Sequence, residues 1–240
     1  MTMFDQIIVK CPHCQTLMMD YELMSYTSDG SAEYFSDGKN DSIPSMNNTQ
    51  GIGICAECNK PFWRGDSKLP EQQIDREPME NLPNVKEVYD LFMAFDEEGK
   101  ERRINFYKEL IENNFAKSEW QEYHLREKLW WAVNDTIRHL SGWTVARNLR
   151  QLRDIIIHRR SCKRLYKKYQ PLLAENLTRM IFLYIKSTDV DLLYLANMYR
   201  EKGDFDKALD ILSKVDGKRG STYTKLRRKI RRGNRRVFQL

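Results

Sequence analysis

From about residue 84 to the C terminus, apolar residues recur every three or four positions, the period of one helix face. "NVKEVYDLFMAF" starts behind Asn84 and sets Val85, Val88, Leu91, Phe92 and Phe95 on one side. "ERRINFYKELIENNF" repeats the spacing with Ile104, Tyr107, Leu110 and Ile111. "SEWQEYHLREKLWWAVNDTIRHL" carries Ser118 as its cap and a stripe of Leu125, Leu129, Ala132 and Ile137. "TVARNLRQLRDIIIHRRSCKRLYKKY" reads as a long helix ended by Pro171, and "PLLAENLTRMIFLYIKS" as the next, with proline in its first turn. Trp120, Trp130, Trp131 and Trp143 fall at helical spacing with no glycine-rich loop beside them, which makes them core positions.

The first 65 residues follow a different rule. Short apolar runs, Ile7–Val9 and Ile52–Ile54, alternate with turn signals at Asp29-Gly30 and Asp37-Gly38, the pattern of β-hairpins. Each run leads into a C-x-x-C pair, Cys11 with Cys14 and Cys55 with Cys58, and Phe62-Trp63 follows the second. Each pair places two thiolates on one side of an ion, so the four sulfurs predict one structural Zn²⁺ per chain. The 40 residues between Cys14 and Cys55 exceed the simplest ribbon spacing but suit a ribbon with a β insertion. The competing reading, a redox Cys-Pro-His-Cys, needs a βαβ context that ten preceding residues do not supply. His13 is read as a loop residue, since four thiolates already complete the site. Cys162, the fifth cysteine, is read as a small helical packing residue; His158 lies four residues before it, and two residues do not make a metal site.

The fold class is therefore α+β: a β-rich, zinc-ribbon-like module over residues 1–65, a linker over 66–83 containing three of the seven prolines, a helical domain over 84–216 and a basic tail over 217–240. Within the helical domain, "DVDLLYLANMYREKGDFDKALDILSKV" (189–215) resembles a tetratricopeptide repeat. Leu192, Leu195, Ala196, Tyr199, Gly203, Phe205, Ala208 and Leu212 stand at that unit's large and small positions. Asp189 and Asp204 are placed to cap its two helices, and Gly203 to turn between them. Val215 and Gly220 depart from the family pattern. With the two cysteine pairs, "YFSDGK" and "PFW", the whole resembles uncharacterised bacterial proteins that join a zinc-binding module to a tetratricopeptide-like helical domain. The resemblance implies an interaction or scaffold role and brings no established activity.

Charge changes the picture. The net +6 conceals segregation: residues 65–135 hold seventeen acids and ten bases, residues 147–168 nine bases and one acid, and residues 217–240 ten bases and no acid. Lys225, Arg227, Arg228, Lys229, Arg231, Arg232, Arg235 and Arg236 are candidate contacts for nucleic acid. Tyr223, Leu226 and Ile230 give the same segment an apolar edge, suited to capping the helical domain. No phosphate-binding glycine loop, H-E-x-x-H or nucleophile elbow is present, and four thiolates leave a zinc no open position, so a non-enzyme is expected. The expected function is an interaction adaptor for a protein or peptide partner, the alternative a nucleic-acid binder, and the weakest a redox or zinc sensor. Five cysteines, four of them in C-x-x-C pairs, no secretory signal and no long apolar run set the expected location in the cytoplasm, away from membranes.

Overall fold

A computed structural model of the chain describes residues 3–25, 33–40, 51–69, 81–87, 97–141, 148–186, 190–215 and 220–240. It is an α+β protein of two compact units. One comprises residues 1–32 with 40–93, the other residues 33–39 with 94–240.

The first unit is built on hairpins. β1 (Met3–Lys10) pairs antiparallel with β2 (Leu17–Ser25), Lys10 opposite Leu17. β3 (Ile52–Ile54) pairs with β4 (Pro61–Trp63) and, on its other side, with β5 (Lys86–Glu87). One turn of helix, α1 (Arg64–Ser67), follows β4. Val9, Met18, Phe62 and Val85 close a small core around Cys11 and Cys55. Gly53 lets β3 enter it, since a Cβ there would lie 2.7 Å from Val85 and 2.9 Å from Phe62. The helix expected behind Asn84 does not begin there. Val85 is drawn into this core, its N–H donates to the Met19 carbonyl at 2.9 Å, and β3 offers Lys86 and Glu87 a free edge. The remainder of that predicted helix lies outside the described residues, as does the Asp29-Gly30 turn.

The second unit is helical: α2 (Glu97–Glu112), α3 (Glu119–Asn134), a 3₁₀ turn (Arg138–Ser141), α4 (Leu149–Ile185), α5 (Leu192–Lys202), α6 (Phe205–Ser213) and α7 (Ser221–Arg231). Consecutive helices pack on one another, and α4 also touches α2. Ser118 caps α3, its hydroxyl accepting from the Gln121 N–H at 3.2 Å. The predicted stripes are buried, from Ile104, Tyr107 and Leu110 on α2 to Leu125, Leu129 and Ala132 on α3. Trp130 and Trp131 are core; Trp120 is not, being 65% exposed and stacked on His124, and Trp143 is outside the described residues.

Pro171 ends nothing. α4 runs through it for 37 residues, so the two expected helices are one. The ring lies on the exposed face, where the Lys167 carbonyl it deprives of a donor meets water. The buried face, Cys162, Leu165, Tyr166, Tyr169, Leu173 and Leu177, continues unbroken past it. At the α5–α6 turn Gly203 takes φ 101°, as expected, and Asp204 caps α6. The cap of α5 is Asp191 rather than Asp189, because its carboxylate reaches the Leu193 N–H at 2.8 Å. Ala196 and Ala208 are fully buried between these two helices, small enough to let them approach.

The short segment 33–39 is the polar centre of this unit. It turns at Asp37-Gly38, the Phe35 N–H donating to the Lys39 carbonyl at 2.9 Å. The Asp37 carboxylate accepts two bonds from Arg138 (2.8 and 2.6 Å) and one from Asn134 (2.8 Å). Lys39, Arg103 and Arg138 surround Asp135. Burial opposes ionisation of Asp135, yet those three cations hold its carboxyl far below the usual range. Ser36 pairs with the chain end: its N–H donates to the Phe238 carbonyl at 2.9 Å, and Phe35 bridges Gln239.

Asp37→Ala leaves the fully buried Arg138 without its bidentate partner, and should cost the helical unit about 3–5 kcal/mol. Denaturant melts check this; a decrease under about 1 kcal/mol contradicts it. Acid stability gives a second expectation. Hydrogen bonds from Arg179 and then Arg126 pull Glu122 from 4.5 to about 2. A folded-state value below the unfolded one contributes stability at pH above about 4.5, lost as pH falls toward 2. Glu122→Gln should therefore flatten the fall in melting temperature across that window.

Candidate metal centre

Each cysteine pair occupies the turn of one hairpin, and the two turns share one geometry. The Cys11 N–H donates to the Thr16 carbonyl (2.9 Å) and the Gln15 N–H to the Cys11 carbonyl (3.0 Å); the Cys55 N–H donates to the Lys60 carbonyl (3.1 Å) and the Asn59 N–H to the Cys55 carbonyl (3.1 Å). Gln15 and Asn59, each following the second cysteine, adopt φ of 67° and 56°. This left-handed step carries the chain into the returning strand and turns both sulfurs of a pair to one side. It is costly for a residue with a Cβ, least so for asparagine.

The sulfurs of Cys11, Cys14, Cys55 and Cys58 lie within 4.8 Å of one another. Distances of 3.7 Å (Cys11–Cys58) and 3.5 Å (Cys14–Cys55) separate sulfurs of the two turns. A tetrahedron with metal–sulfur bonds of about 2.3 Å has edges of about 3.8 Å, so this donor set fits a tetrahedral, thiophilic ion. Cys11 and Cys55 are buried, Cys58 half-buried and Cys14 exposed. The Thr16 hydroxyl, 3.2 Å from Cys14, pulls that thiol down to about 6, while burial pushes Cys55 up to about 12. Thiols set as far apart as Cys14 and Cys55 ionise together only when a cation supplies the opposing charge. The His13 ring turns out of the cluster, its Nε2 3.1 Å from the Pro61 carbonyl.

Two features escape the cysteine spacing. Lys86 on β5 donates to the Ala56 carbonyl (2.9 Å) and to Asn59 Oδ1 (2.7 Å), bracing the second turn. Met18 sulfur accepts the Ala56 N–H at 3.4 Å. A lysine in a predicted helix gives no sign of the first; the second has no local signal.

The basic-tail candidates divide. Arg227, Arg228, Arg231, Arg232, Arg235 and Arg236 are exposed, whereas Lys225 and Lys229 are half-buried. Lys229 lies over the Phe238 ring and Arg235 over Phe205, which leaves Arg227, Arg228, Arg231 and Arg232 as the outward row of α7 and its end, with Arg236 beyond it. Tyr223, Leu226 and Ile230 are buried, and α7 packs on α5 and α6. No helix among the described residues is long and apolar enough to cross a membrane. Comparisons with protein-family models, with curated proteins and with solved structures each return no match.

Metal removal should abolish the first unit's structure. Four-cysteine binding in small zinc modules carries about 10–16 kcal/mol, more than a core of this size replaces. Elemental analysis of protein purified without chelator should give one zinc per chain, and Cys55→Ser should lose it. Hydrogen exchange of residues 3–25 and 51–69 should become unprotected on chelation; unchanged protection rules out a structural ion.

Proposed function

We propose that this chain is a non-enzymatic, zinc-stabilised interaction protein whose helical unit serves as an adaptor for a protein partner. The observation that carries this reading is the four-sulfur cage, which fills a tetrahedral ion's coordination and leaves no position for substrate. The metal is then Zn²⁺ in a scaffolding role, and Lys86 adds positive charge beside a site that is doubly negative when filled. Binding falls to the helical unit. The α5–α6 hairpin presents the tetratricopeptide-like surface. On α4, Leu149 (85% exposed), Leu152, Ile156 and Ile157 leave an apolar row in solvent. A reducing cytoplasm suits five unpaired cysteines.

One observation favours a second reading, nucleic-acid binding. Among the described residues, none of the eight tail cations is in an ion pair with a carboxylate, which leaves their charge available to phosphates.

Tagged full-length protein captured from native cells, with and without nuclease, separates the two. The adaptor reading expects a protein retained after nuclease and released on Ile157→Asp. The second expects nucleic acid whose affinity falls with salt. Its slope should become shallower when Arg227, Arg228, Arg231 and Arg232 become Gln, by about 0.9 for each phosphate of duplex DNA left without its arginine. These exposed substitutions spare the α7 packing that truncation would destroy. Retention unaffected by Ile157→Asp counts against the adaptor surface named here; an unchanged salt slope counts against the tail.

A further inference from the structure

Cys162 is buried on the packed face of α4, yet two of its neighbours are polar. Its sulfur lies 3.5 Å from His158 Nε2, one turn back on α4, and 3.8 Å from Lys100 Nζ, which reaches across from α2. Among the described residues that sulfur is the one polar partner of the half-buried Lys100 ammonium, and the His158 ring has no other. A proton acceptor and a fixed cation thus converge on one nucleophile from two helices. Lys100 and His158 also line a cleft of about 380 Å³, with Thr136, Leu140, Asp154 and Ile155 on its other walls. Cys162 itself is 2% exposed and lies beside these two lining residues rather than on the cleft wall.

We propose that Cys162 is a nucleophilic thiol modified by small hydroperoxides. His158 Nε2 takes the thiol proton, and the Lys100 ammonium offsets the negative charge on sulfur. The sulfur attacks the terminal peroxide oxygen and forms an S–O bond as the O–O bond breaks. The electron pair leaves on the distal oxygen, which takes the proton from His158 and departs as water or an alcohol. Sulfur loses two electrons and the peroxide gains them, giving a sulfenic acid at Cys162. Burial of the sulfur selects for size: hydrogen peroxide is small enough to reach it, and a bulky disulfide such as oxidised glutathione is not.

The test uses zinc-loaded, full-length protein at neutral pH with hydrogen peroxide and a sulfenic-acid trap, read by peptide mapping. Mapping separates Cys162 from the four clustered cysteines. Trapping at Cys162 should run at least about tenfold faster than in a synthetic peptide of the same sequence. His158→Gln and Lys100→Gln should each slow it by about tenfold at an unchanged melting temperature. Oxidised glutathione should leave Cys162 unmodified. Reaction no faster than the peptide, or unchanged rates in both folded variants, overturns the proposal. Should either variant fail to fold, the comparison of wild type with peptide decides alone.

Discussion

The bidentate pair between Asp37 and Arg138 is the constraint on which the helical unit turns. Both side chains are completely withdrawn from water, and each isolated charge would be expensive there. That cost is offset by dense mutual satisfaction. Asn134 bridges Asp37 to Glu201 (2.8 and 2.9 Å), Glu201 accepts from Trp130 (2.7 Å) and Arg200 (2.8 Å), and Arg200 holds the Asn234 and Arg236 carbonyls. Burial still pushes Glu201 up despite the Arg200 charge beside it. Such a network adds little net energy over an apolar core but tolerates one arrangement only, since removing any partner strands another. It fixes together the end of α3, the C-terminal half of α5, segment 33–39 and the last residues of the chain.

Much of this fold is legible in the sequence, but not all of it locally. Helical stripes, the Ser118 cap, the Gly203 turn and the pairing of C-x-x-C with hairpin turns follow from period and residue type over a few positions. "YFSDGK" is different. Its turn can be read from Asp37-Gly38, whereas its partners lie about 100 residues further along at Asn134 and Arg138 and about 160 at Asn197 and Glu201. No local pattern announces them, and its place between the cysteine pairs suggests a hairpin of the β module. Pro171 misleads for the opposite reason. The local rule is sound, but an exposed ring in a helix buried on its other face is tolerated once packing outweighs one missing hydrogen bond.

The cysteine cluster is the most legible site because thiolate pairs at fixed spacing have few structural meanings. The backbone adds what spacing does not carry. Two unrelated tetrapeptides, Cys-Pro-His-Cys and Cys-Ala-Glu-Cys, adopt one turn, each followed by a residue in the left-handed region. That neither uses glycine there means the turn is held by its surroundings: two backbone hydrogen bonds apiece, the buried Cys11 and Cys55, and Lys86 across the second.

Charge segregation along the chain also finds a physical reading. Eight of the seventeen acids of the acidic stretch lie on α2 and α3, and the basic stretch opens α4; packing pairs Glu101 with Lys168 of that stretch, and Glu122 with Arg179 and Glu119 with Lys186 further along. Pairs this exposed are each worth about 0–1 kcal/mol, too little to explain the fold's stability. Their effect is selective: opposite charge favours α4 as the neighbour of α2 and α3, and like charge disfavours the alternatives. The tail's cations have no such use. α7 is held by Tyr223, Leu226 and Ile230, and among the described residues its outward arginines meet no carboxylate. Intramolecular packing therefore accounts for part of the basic charge on α4 and for none of the row formed by Arg227, Arg228, Arg231 and Arg232. That difference makes the row, rather than net charge, the physical basis for any polyanion contact.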